Sequence, residues 1–82
     1  MVFAYILGKV ETGNELEVLA ALKNLVEVKR VSLTYGTYDL CIEAEVATME
    51  ALDDFIFKTV RKIPGINETA TVVTAKTFPK AK

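Results

Sequence analysis

The sequence predicts an α+β domain: a four-stranded antiparallel sheet carrying two helices on one face. Three observations predict it. Strand-forming and amphipathic helical stretches follow one another as strand, helix, strand, strand, helix, strand. The middle two strands flank a glycine-containing turn and form a hairpin. The chain has 82 residues, 51% apolar and 26% charged, which fits one compact domain.

Val2-Phe-Ala-Tyr-Ile-Leu7 is continuously apolar and reads as a strand covered on both faces, continued by Gly8-Lys9-Val10. Thr12-Gly13-Asn14 breaks it, and Asn14 or Thr12 caps a helix with Glu15 and Glu17 in its positive first turn. Leu16, Leu19, Leu22 and Val26 recur there at helical spacing, widened by Val18 and Leu25. Val31, Leu33 and Tyr35 alternate with Arg30, Ser32 and Thr34 in a strand over 28–35. Gly36-Thr37 is the predicted turn, because glycine takes positive φ at little cost. In the strand over 38–46, Leu40, Ile42, Ala44 and Val46 share one face and Cys41, Glu43 and Glu45 the other. Thr48 caps a second helix whose stripe is Met49, Leu52, Phe55, Ile56, Val60 and Ile63, ended by Pro64-Gly65. Residues 69–75 form the last strand, reaching towards Phe78 before Pro79 and a basic tail. Right-handed crossovers put both helices on one side. The result is the ferredoxin-like βαββαβ arrangement.

That arrangement leaves one sheet face without cover. The first strand is apolar on both sides, and Val72 and Val73 fall on opposite faces of the last. A domain of this size buries only about 60–65% of its unfolded surface. Pairing of two open faces is therefore expected, at about 25 cal/mol per Å² covered.

Composition excludes several functions. Ten Lys+Arg against 11 Asp+Glu give a net charge of −1, unlike the basic footprint of an autonomous nucleic-acid binder. No apolar run approaches the roughly 20 residues of a membrane span, and no signal peptide is visible. The lone Cys41 fits a reducing, cytoplasmic setting. Histidine, the commonest general base and metal ligand, is absent, so no enzyme, metal or cofactor is expected. Scarce amides with abundant Lys and Glu match a thermophile's composition.

Few residues offer chemistry. Cys41 is mid-strand and reads as a small apolar filler. Asp53 and Asp54 diverge by about 100° on a helix. Glu43 and Glu45, about 7 Å apart on one strand face, read as solvated or lysine-paired. Phe57 lies off its helix's stripe, near Glu50 and Asp53, as a partner anchor or a packed rim residue. The most unusual feature is Tyr35-Gly36-Thr37-Tyr38-Asp39. A tight turn offers backbone N–H groups to a carboxylate, and Asp39 offers a carboxylate to an ammonium group. Those are the two ends of a free amino acid. An ordinary hairpin, with Asp39 bonding its own turn, explains the same residues. Thr69 and Thr71 share a strand face and present two hydroxyls, or serve plain β propensity.

The whole pattern resembles one family. Ala4-Tyr-Ile-Leu7, Gly13-Asn-Glu with Val18-Leu-Ala-Ala-Leu22, Val28-Lys-Arg-Val31, the Thr34–Leu40 hairpin and Ile63-Pro-Gly-Ile66 with Thr69-Ala-Thr71 carry it. The chain, over residues 2 to 77, resembles the effector-binding (regulation of amino acid metabolism, RAM) domain of the leucine-responsive Lrp/AsnC transcription regulators. The resemblance implies a βαββαβ domain that dimerises through its sheet, with dimers associating further, often as an octamer of four dimers. It implies an amino acid bound between dimers, at positions matching Tyr35, Gly36, Thr37, Tyr38, Asp39, Thr69 and Thr71. Full-length members also carry a helix-turn-helix DNA-binding domain, for which this chain has no room. The expectation is therefore one effector domain over 1–78 with a basic tail at 79–82, binding no nucleic acid directly. It senses amino acids alone or co-assembles with a full-length Lrp/AsnC regulator. The rival classes are a ligand-free interaction module, a ferredoxin-like enzyme and the related ACT domain. The ACT match is poorer, since its glycine-rich ligand loop follows the first strand and Gly8-Lys-Val-Glu-Thr-Gly13 is only partly so.

Overall fold

A computed structural model describes residues 1–80. The elements follow the predicted order: β1 (Val2–Val10), α1 (Glu15–Leu22), β2 (Val28–Leu33), β3 (Leu40–Val46), α2 (Met49–Lys58) and β4 (Ile66–Val73), with a 3-10 turn at Val60–Lys62. The strands form one antiparallel sheet in the order β2-β3-β1-β4. This is the ferredoxin-like arrangement. β1 is central and pairs along both edges, but only its Ala4, Ile6 and Val10 face is buried under the helices; Phe3, Tyr5 and Leu7 lie on the open face, so the cover expected on both faces is not met within one chain.

The core lies on the helix side. Ala4, Ile6 and Val10 of β1 and Leu40, Ile42, Ala44 and Val46 of β3 meet Val18 and Leu22 of α1 and Leu52, Phe55 and Ile56 of α2. α2 starts where Thr48 Oγ1 accepts a hydrogen bond from Ala51 N–H at 3.0 Å, a side-chain N-cap.

Four expectations change. In α1 the buried residues are Val18 and Leu22, whereas Leu16 is 78% and Val26 88% exposed. The helix stops at Leu22, so Val26 is outside it, and Leu16 falls about 160° from Val18 around the axis. Asn14 precedes α1 but makes no side-chain cap; Glu15 Oε1 accepts from Gly13 N–H instead, at 3.0 Å. Met49 is half exposed and the stripe of α2 runs through Leu52, Phe55 and Ile56. β4 begins at Ile66, three residues early, and ends at Val73, with Thr74 N–H and Oγ1 both donating to Phe3 O at 3.0 Å. Of the basic tail, Ala81 and Lys82 lie outside the described residues.

Candidate functional site

The residues singled out in the sequence fall at one end and one edge of the sheet. β2 ends at Leu33 and β3 starts at Leu40, so Tyr35 and Tyr38 leave the strands and the connection is six residues rather than a two-residue turn. The cause is Asp39. Its N–H donates to Gly8 O at 2.9 Å, and its Oδ2 accepts from Val10 N–H at 3.1 Å. Its N–H turned to β1 and its carbonyl to Thr34, Asp39 stands outside the regular ladder of β2 with β3. Thr34 closes the loop: its N–H donates to Asp39 O and its Oγ1 to Tyr38 O, both at 2.8 Å. Gly36 sits at φ +112° in the bend, a conformation L side chains rarely adopt. Tyr35 stands fully exposed at the tip.

Beside this loop is a cavity of about 390 Å³, lined by Leu33, Thr34, Tyr35, Asp39 and Glu15. Glu15 comes from the first turn of α1. Sequence reasoning assigned it only to the helix dipole, and no local signal ties it to the loop.

Thr69 and Thr71 lie elsewhere. They pair with Gly8 and Ile6 of β1, which places them on the helix side at the β4 edge. There they face α2 across a groove of about 330 Å³ with an apolar floor that includes Leu52 and Ile56. Asp53 and Arg61 also line it, as does Phe57, whose ring centroid lies 5.1 Å from the Arg61 guanidinium carbon. Within one protomer the structure therefore brings Tyr35 and Asp39 together, and Thr69 and Thr71 together, in separate concavities. Asp53 and Arg61 were not foreseen as site residues; the off-stripe Phe57 between them was the available signal.

The opposite sheet face has an apolar centre. The pairings Leu7 with Cys41 and Ala70, and Tyr5 with Glu43 and Val72, set it out. Phe3 adds an edge-to-face contact with Tyr5 at 5.3 Å. Ion pairs fringe it: Lys29 to Glu45 at 3.5 Å, Arg30 to Glu43 at 3.7 Å and Lys9 to Glu68 at 3.3 Å. A register shift between Val28 and Arg30 lets two consecutive cations reach β3 glutamates. Glu43 and Glu45 are thus paired with cations.

The sequence model described as the Lrp/AsnC ligand binding domain matches residues 4–81. The chain belongs to this family. The Lrp/AsnC relatives include the HTH-type transcriptional regulator FL11 of Pyrococcus horikoshii, 34% identical over 74 residues, which are 90% of this chain and 48% of that protein. The chain spans about half the length of the curated relatives it matches. Among solved structures, that of FFRP-DM1 is 40% identical with a TM-score of 0.87, covering 90% of this chain and 99% of that one. The complex of the Neisseria meningitidis transcriptional regulator NMB0573 with L-Met shares the fold, with a TM-score of 0.90 at 17% identity over 96% of this chain and 53% of that one.

In this Lrp/AsnC domain Cys41 is half-buried on the open face. Burial, and then the Glu43 carboxylate, pushes its thiol up from the ordinary range. That is the reverse of what activates a nucleophile. Among the described residues no three His, Cys, Asp or Glu side chains are grouped to hold a metal ion, and no helix is long and apolar enough to cross a membrane.

Proposed function

We propose that this Lrp/AsnC domain is a non-enzymatic, cytoplasmic amino-acid-binding module whose site is completed by association of chains. One observation carries the reading: Tyr35 and Asp39 line one concavity of the protomer while Thr69 and Thr71 line another. A single site using both sets of residues needs the hairpin of one chain against the groove of another. Two chains pair through the apolar centre of the open sheet face, whose charged fringe resembles the rim of a protein interface. Such pairs then associate further, up to a ring of four dimers, and Gly36 and Thr37 present backbone donors at the contact. The L-Met complex of the Neisseria regulator supports an amino acid as the ligand.

Influence on transcription then passes through assembly, either of this module alone or with a full-length Lrp/AsnC regulator that supplies the DNA contacts. A ligand that binds only the associated form stabilises it by mass action. Calorimetric titration with the twenty amino acids, combined with sedimentation, tests this. A bound amino acid that also raises the assembled mass is the expected result. Binding of none of the twenty refutes the sensor. A ligand-free interaction module would then remain, for which the half-exposed Phe57 and Met49 on α2 argue. Co-purification with a full-length regulator would establish that role.

A further inference from the structure

The β2 edge of the sheet plays no part in the amino-acid reading. β2 pairs with β3 alone and stands at the end of the strand order. An antiparallel ladder alternates residues that exchange hydrogen bonds with residues that do not. Thr34 N–H donates to Asp39 O, which makes Thr34 a bonded position. Ser32 opposite Cys41 and Arg30 opposite Glu43 are then the next bonded positions. The N–H and C=O groups of Val31 and Leu33 therefore point off the edge, and among the described residues no backbone group outside the sheet meets them. The irregularity of β2 lies between Val28 and Arg30, so the free groups belong to the regular part of the strand.

The two sides of this edge differ in chemistry. Val31 and Leu33 pair with the buried Ile42 and Leu40, which puts their side chains on the helix side. There a cleft of about 350 Å³ separates β2 from α1, floored by Leu16, Leu19, Ala20, Val28 and Val31. The charged residues around it, Lys23, Lys29 and Arg30, are all cations, whereas the other two concavities carry Asp53 or Glu15 and Asp39. On the open-face side Lys29 and Arg30 meet Glu45 and Glu43 of β3, and both cations stay more than half exposed. β3 thus shows what β2 accepts as a neighbour. In Ile42-Glu-Ala-Glu-Val46 the apolar residues lie on the helix side and the carboxylates lie against the cations. A second β2 is a poor match, because it would set one cationic strand against another.

We infer that the β2 edge takes an extended protein segment as an added strand, with alternate apolar side chains in the α1–β2 cleft and acidic ones against Lys29 and Arg30. Main-chain bonds to Val31 and Leu33 supply affinity, and the cleft and its cations supply selectivity. β2 has six residues, so a segment of about the same length, about 20 Å, covers it. The partner is then a protein carrying a short acidic–aliphatic stretch, and the inference stands apart from the amino-acid site.

The test is an NMR titration of the intact protein with a capped hexapeptide of alternating valine and glutamate. The Val31 and Leu33 amides should shift and exchange with solvent more slowly. The same peptide N-methylated at its valines keeps the side chains but loses the donors that face β2, and should bind about tenfold or more weakly. The valine–lysine counterpart should lose about as much at low salt. Leu16→Ser, an exposed position on α1, should weaken binding about tenfold by removing apolar cover, with unchanged thermal unfolding verifying the fold. Equal binding of the N-methylated or the lysine peptide overturns the proposal, as does binding of no peptide at about 1 mM. Protection of Val31 and Leu33 that grows with protein concentration in the absence of peptide overturns it too, and assigns the edge to a second copy. None of these results depends on whether an amino acid binds, so the two readings fail separately.

Discussion

Replacing Tyr5 by alanine probes the pairing of open sheet faces. Tyr5 is 36% exposed in the single chain. An aromatic side chain buries about 150–250 Å² when covered, so roughly 70 Å² of Tyr5 remains for a partner. At about 25 cal/mol per Å², that is about 1.8 kcal/mol per chain. In a two-fold pair the residue appears twice. Its loss then weakens the dimer by about 3.5 kcal/mol, or about 300-fold in dissociation constant. Inside its own chain Tyr5 gives up the edge-to-face contact with Phe3, worth about 0.5–1.5 kcal/mol, which leaves the fold intact. Sedimentation equilibrium from nanomolar to high micromolar protein, with circular dichroism as a folding control, measures the change. A wild type that stays a monomer throughout, or a variant with an unaltered dissociation constant, refutes the reasoning.

Other perturbations follow from local geometry. Gly36→Ala should cost about 1–3 kcal/mol from its positive φ alone, since a Cβ there meets nothing within 4 Å. Gly65→Ala should cost more, because at φ +99° its Cβ also comes within 3.0 Å of the Asn14 Cβ and 3.2 Å of the Val18 Cγ2; denaturant midpoints give the order. Thr48→Ala removes the cap of α2 and should lower stability by about 1 kcal/mol, or about 4–8 °C in Tm by calorimetry. Cys41, its thiol raised by burial and then by Glu43, should react with iodoacetamide more slowly than a free cysteine at mildly alkaline pH and catch up only as pH rises further. Because the folded thiol is the weaker acid, its contribution to stability is full below the ordinary thiol range and is lost as pH rises through the folded value. A urea-unfolded sample should recover the ordinary rate.

The order of elements was legible because each strand and α2 carries its own period. β3 alternates without a fault from Leu40 to Val46, every core-facing residue buried. α1 was harder. Its leucines and valines lie all round the axis, so several faces look equally apolar, and only contact with the sheet selects Val18 and Leu22 over Leu16. The hairpin was placed correctly in sequence but drawn too tight, because the bonds of Asp39 to β1 join residues some thirty positions apart, 29 for Val10. Such contacts leave no local pattern. The same holds for the candidate site: Thr69 and Thr71 were recognisable as a pair, but Asp53 of α2 and Arg61 of the 3-10 turn, which line the same groove, belong to other elements, and only folding brings them opposite.

Gly8 is a single peptide link with two tenants. Its carbonyl receives the hairpin through Asp39, and its other flank pairs with Thr69 at the groove. One residue on, between Lys9 and Val10, the register of β1 with β4 slips, a joint where the ladder is already loosened. The hairpin and the last strand are therefore joined through a few bonds of central backbone, with neither helix between them.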